Sequence, residues 1–149
     1  HCLSLGCYAV FLVALFHHAI ERNAWNLRSP TKEGLFVGRV ALLRGELRSW
    51  HAAERRQGRV HTTVNDLTPT MLGLPGEPGW SLKGAETNAV LRFAESFIVD
   101  KASRLSNSSL YLRVCRAMLK TQELIKAHPT TFPPQATQDN PLVMALGED

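Results

Sequence analysis

The sequence has little of what usually announces a function. Only three of its 149 residues are cysteine: Cys2, Cys7 and Cys115. An odd number excludes a closed disulfide framework. In a helix, Cys2 and Cys7 would be ~7.5 Å apart along the axis and on different faces, too far for an easy bridge. Free, reduced thiols are expected, which favours a cytoplasmic or nuclear protein over a secreted one. The nucleophile elbow Gly-x-Ser-x-Gly, the phosphate-binding loop, the dinucleotide fingerprint Gly-x-Gly-x-x-Gly and the zinc motif His-Glu-x-x-His are all missing from the sequence. With them go the short motifs that tie a nucleophile, a phosphate cradle or a metal pair to a fixed spacing. No catalytic residue, metal or cofactor is predicted.

Long hydrophobic runs are also wanting. Residues 2–16, CLSLGCYAVFLVALF, are nearly all apolar, and no Asp, Glu, Lys or Arg precedes Glu21. The run is short of the ~20 apolar residues a membrane span needs. As a signal segment it lacks a basic start and a small-x-small cleavage site. A buried core helix is the expectation, and a membrane partner enters only if residues 2–20 act as a span or signal segment. The first residue is His1, which fits a processed chain or part of something longer.

What is present fits a globular helical domain. The 44% hydrophobic and 20% charged fractions are ordinary for a folded chain. Four helices are expected, at about 3–27, 30–57, 85–105 and 110–127, with an irregular connection over 58–84. The first carries Phe16, Ile20, Ala24 and Leu27 on one face of its second half. The second opens with Ser29 as a cap and Pro30 in the first turn, and Phe36, Val40, Leu43, Leu47 and Trp50 recur at spacings of 4, 3, 4 and 3. Gly34, Gly38 and Gly45 cost helix stability but admit a close neighbour. Val60–Val64, VHTTV, has strand-like β-branched content, and Thr68-Pro69 opens a short helical turn through Leu72. The third helix lines up Val90, Ala94, Phe97, Ile98 and Leu105. A short polar turn, Ser106–Ser109, leads into the fourth, so these two form a hairpin. The predicted class is therefore all-α: an irregular four-helix bundle of two antiparallel helical pairs joined by a long Gly/Pro-rich loop. Residues 1–128 form the helical domain, and 129–149 a Pro-rich C-terminal tail ending in the apolar stretch LVMAL.

That loop contains Gly73–Gly79, GLPGEPG, followed by Trp80. Two G-X-Y triplets are too few for a triple helix. The segment reads as a semi-rigid strap in which a proline stacks on the indole.

The net charge of +4 is concentrated in one place. Six arginines between Arg39 and Arg59 face only Glu46 and Glu54. On a helical wheel with Leu43 at zero, the apolar stripe spans about −20° to 60°, and Arg44, Arg48, His51, Arg55 and Arg59 fall at about 80° to 160°. An arginine row beside an apolar stripe suits a partner carrying carboxylates or phosphates. The expected partner surface is Arg44, Arg48, Trp50, His51, Arg55 and Arg59 with Trp80. Trp25 and Trp80 are expected to be partly exposed.

The leading expectation is a non-catalytic helical protein–protein interaction or scaffold domain with a protein partner, part of a larger chain or assembly. Two alternatives stand beside it. One is nucleic-acid binding through the arginine-rich second helix, with Arg113, Arg116 and Lys120 as a smaller basic face. The other is a secreted helical-bundle signalling protein, for which Asn107-Ser108-Ser109 offers a glycosylation sequon. His17 and Glu21 share a face at i and i+4 but have no third ligand. His61 and Asp66 lie among threonines in the irregular segment, where polarity is the ordinary state of a loop. Cys115, on an apolar face, is expected to be an inert thiol.

Overall fold

In a computed structural model, residues 4–128 are described. The tail from 129 and its LVMAL stretch lie outside them, as does Cys2. The described chain is mostly helical: a wide π-helical turn at Ser4–Tyr8, then α1 (Ala9–Glu21), α2 (Lys32–Arg56), α3 (Pro69–Leu72), α4 (Gly84–Asp100) and α5 (Ser108–Ala127). Two short strands, β1 (Gly73–Leu74) and β2 (Glu77–Pro78), pair antiparallel with Gly73 opposite Pro78. By its contacts the chain divides into residues 1–116 and 117–149. Of the second unit, the described part is the last turns of α5, where Thr121 Oγ1 donates to the Ala117 carbonyl at 3.0 Å.

The first helix stops six residues earlier than its apolar spacing suggests, and the stop has a clear cause. Asn23 takes a left-handed conformation (φ 54°). Its N–H then bonds the Ile20 carbonyl at 3.1 Å, and the Ala24 N–H bonds the Ala19 carbonyl at 3.0 Å. This is a Schellman ending with asparagine where glycine is usual. The Asn23 amide then accepts from Leu27 N (2.8 Å) and donates to Leu27 O (3.0 Å), fixing the loop that follows. Ala24 is buried all the same. Its apolar character belongs to the cap rather than to another turn of helix.

The second helix starts at Lys32, not at Pro30, because Thr31 rather than Ser29 is the cap: Thr31 Oγ1 accepts from Gly34 N at 3.0 Å. Its stripe is the strongest link between sequence and core. Phe36, Val40, Leu43 and Leu47 are all buried, each contributing roughly 1.5–3 kcal/mol of apolar transfer free energy. Leu27 lies over Gly38, where a Cβ would come within 2.6 Å of Leu27 Cδ2. The helix ends at Arg56, and Gly58 (φ 77°) turns the chain left-handed just beyond it, with Arg59 N bonded back to Glu54 O at 2.9 Å.

Both α1 and the turn before it pack against α4. Phe16 is the hub there. Its ring lies 5.5 Å from Phe97, edge-on, and 6.3 Å from Phe93. The third long helix is shorter than predicted, ending at Asp100; a tight turn at Ala102–Arg104 follows, with Leu105 buried beyond it. Asn107, again left-handed (φ 58°), begins α5 two residues earlier than the apolar pattern suggests. Tyr111 then meets Phe11 and His18 at 6.0 and 5.5 Å between ring centres.

The connection over 58–84 is more ordered than its composition suggests. VHTTV forms no strand. It lies instead along α2, by contacts described below. The only strand pair among the described residues comes from the strap: Pro75 and Gly76 (φ 84°) form the corner between β1 and β2, in the order a type II turn requires.

Candidate interaction surface

The arginine row of α2 is real, but the chain uses much of it internally. Arg48 donates through Nε and Nη2 to the Asn65 carbonyl at 3.2 and 2.9 Å. Arg44 Nη1 meets Asp66 Oδ1 at 3.4 Å. Arg59 turns back onto Glu54 with two bonds, at 2.9 and 2.7 Å. That forked bond is the main reason the Glu54 carboxyl is held down at about 2; the hydrogen bond from His61 adds to it, against a burial effect that acts upward. Arg55 and Arg56 remain exposed. Residues 59–66 thus lie along the flank that the wheel showed as a free face.

His51 sits beneath this segment rather than on the surface. It is only 3% exposed, and its Nε2 accepts the Val64 N–H at 3.3 Å. Burial lowers its pKa below the usual 6.5, and the positive Arg55 and the His61 ring lower it further, against a smaller upward pull from Glu54. Its place on the wheel suggested a surface residue; the 59–66 segment covers it, so it belongs to the interior. Val64 and Leu67, in the connection after α2, are also buried.

Trp50 has one face occupied and one edge available. It stacks on His61 at 4.9 Å with the planes 23° apart and meets Phe93 edge-on at 5.9 Å. Trp80, the other predicted anchor, does structural work. Its indole N–H donates to Thr87 Oγ1 at 2.8 Å, and its ring lies nearly parallel to Phe16 at 6.4 Å. The indole therefore packs on a phenyl ring of α1. The GLPGEPG strap is held against the domain: His17 Nε2 donates to the Leu72 carbonyl at 2.6 Å, and Gly79 N and Ser81 N bond Leu72 O and Met71 O at 2.9 and 3.2 Å.

A surface the sequence did not reveal lies between α2 and α4. It is an open groove of about 550 Å³. Ala41, Gly45 and Ser49, each four residues apart on α2, and Ser96 on α4 supply its small side chains; Leu42, Trp50, Phe93 and Phe97 supply the apolar walls. A Cβ on Gly45 would meet nothing within 4 Å. The acidic end, Glu46 and Asp100, is closed by Lys101 Nζ at 3.0 and 2.9 Å. Burial works to lower the Lys101 pKa, but the hydrogen bonds to Asp100 and Glu46 outweigh it and leave the pKa raised. The Trp25 indole N–H also bonds Glu46, and the Lys101 ammonium lies 5.8 Å from the Trp25 ring centre. The signal for this groove was the small-residue spacing in α2. Of the glycines in α2, Gly38 takes Leu27 as a neighbour and Gly45 takes none, a distinction only tertiary structure makes.

The remaining candidates are dispersed. Cys7 is exposed and Cys115 buried, both as free thiols. Burial pushes the Cys115 thiol up to about 12, and its Sγ faces the Leu91 carbonyl at 3.6 Å. His17 is spent on the strap while Glu21 is exposed, and no group of three or more potential metal ligands occurs among the described residues. Asn107 is exposed at the α4–α5 turn. No described helix is long and apolar enough to cross a membrane. No protein-family model, curated protein or solved structure matches the chain.

Proposed function

We propose that this chain is a non-catalytic helical protein–protein interaction or scaffold domain, working as part of a larger assembly, with its helices arranged as two antiparallel pairs. The observation that carries the reading is the α2–α4 groove. Aromatic walls over small residues are the form in which an amphipathic helix is bound, its own aliphatic side chains filling the channel. The partner of this reading is a protein helix presenting such a face, with Trp50 as the anchor beside it.

The nucleic-acid alternative has less support. Three of its arginines, Arg44, Arg48 and Arg59, already hold a carboxylate or a carbonyl of the chain itself. The secreted signalling alternative rests on the exposed Asn107 sequon alone. The test of the leading reading is selection from a library of amphipathic helices, repeated on Gly45→Phe. That substitution fills the groove where nothing stands in the way of a side chain. Selected helices should bind the parent and lose at least about ten-fold in affinity, roughly 1.4 kcal/mol, on the variant. Binding that is indifferent to Gly45→Phe, or no selected helix at all, would overturn it.

A further inference from the structure

We propose that residues 62–66 are an acid-released strap, held on α2 at neutral pH by the unprotonated Nε2 of His51 and let go when that nitrogen takes a proton. The device concerns the arginine flank of α2 and is independent of what the groove binds.

The geometry sets the chemistry. A backbone N–H can only donate, so the Val64–His51 bond at 3.3 Å requires a lone pair on Nε2. In this fold the proton of neutral His51 must therefore be on Nδ1. Protonating Nε2 sets donor against donor in a site that is 3% exposed, and leaves a buried charge without its partner. The charged and titratable neighbours do not rescue it. Arg55 on α2 and His61, just before the strap, both oppose a positive ring, and Glu54 on α2, which favours one, has the weakest influence of the three. The short helix α3, packed on α2, carries no charged residue; α1 meets α2 at its other end, where His17 lies 6.0 Å from the Phe36 ring; and α4 reaches Trp50 through the apolar Phe93.

The other end of the segment responds differently. Glu54 is held at about 2 and stays ionised throughout the range in which histidine titrates. Its contact with His61 Nε2 at 2.8 Å and its two bonds from Arg59 therefore survive. Release begins at Val64 and carries Asn65 and Asp66 away from Arg48 and Arg44, while the Arg59–His61 end remains as a hinge. The consequence is that, in acid, Arg44 and Arg48 lose their ties to Asp66 and Asn65 and join the already exposed Arg55 and Arg56 in facing an acidic or phosphate-bearing partner.

The sign follows from linkage. Unfolded or released, the His51 ring protonates near the usual 6.5; latched, it protonates only at lower pH. Between those values the closed state binds fewer protons, so closing weakens as pH falls through the window, by up to about ten-fold per pH unit. One other histidine, His18, also accepts a backbone N–H, from Ser106 at 3.2 Å. The test must therefore isolate His51.

His51→Gln does so, because a glutamine Oε1 can accept from Val64 N but does not titrate. Amide hydrogen exchange, corrected for the intrinsic rate, would be followed from about pH 7.5 to about pH 5.5 in both proteins. The parent should lose up to about ten-fold protection at Val64, and His51→Gln should hold it constant. Equal pH dependence in the two, or no loss in the parent, would overturn the proposal. If His51→Gln does not fold, nitrogen-15 shifts of His51 in the parent decide. They should report Nε2 unprotonated at neutral pH and titrate together with the Val64 amide; a ring protonated on Nε2, or one that titrates while Val64 stays still, refutes the latch.

Discussion

Two segments of the long connection between α2 and α4 are tied to the domain by a histidine, and the two histidines work in opposite senses. Residues 59–66 lie on α2 through arginines, a carboxylate and the acceptor nitrogen of His51. Residues 71–81 are closed on themselves by two backbone bonds and lie near α1 through the donor nitrogen of His17, which holds Leu72, and the Phe16–Trp80 stack. A histidine that donates keeps its bond when it becomes charged. A histidine that accepts through the same nitrogen loses it. The first segment is therefore tied by a bond that a proton on that nitrogen would break, and the second by one that already uses such a proton, although both look like loops of ordinary composition.

The contrast extends to backbone. The second strap depends on a position that only glycine can fill. Gly73 has φ 79°, and a Cβ there would run into Glu77 O and Gly79 N and lie 2.7 Å from the Pro78 carbonyl carbon. These are backbone atoms of the facing strand, so nothing flexible can give way. Gly73→Ala should destabilise the fold by about 3 kcal/mol, the largest single effect expected in the connection. Urea unfolding at neutral pH measures it, and a loss below about 1 kcal/mol would mean the strap adjusts freely. The first strap has no such position. Its smallest tie is the best contrast: Arg48→Ala removes two bonds to the Asn65 carbonyl, which is exposed and can turn to water. The expected cost is only about 0.5 kcal/mol, with faster amide exchange confined to residues 64–66. A cost as large as that of Gly73→Ala would erase the distinction.

Which of these features the sequence displayed follows from their physical range. The stripe Phe36, Val40, Leu43 and Leu47 was legible because burial at helical spacing is a local pattern, and all four are in the core. The stop at Glu21 was not, since Ala24 and Leu27 stay at apolar spacing while Asn23 turns the chain left-handed. The arginine flank was visible on the wheel. That residues 59–66 would fold back over it was not, because that contact joins residues 13 to 22 positions apart. His51 shows the limit most directly: the wheel puts it beside Arg44 and Arg55, and tertiary structure covers it. Trp80 next to a Gly/Pro run was a readable sign of packing, but its partner, Phe16, lies on a helix at the other end of the domain's sequence.

The difference between the two straps is tested most directly by following one amide from each in the same sample as acid is added. The Val64 N–H points at His51, and the Gly79 N–H bonds the carbonyl of Leu72, the residue that His17 holds. Protection at Val64 should fall below about pH 6.5 while protection at Gly79 holds. Parallel loss at both amides, or loss at Gly79 first, would contradict the assignment of His51 as acceptor and His17 as donor.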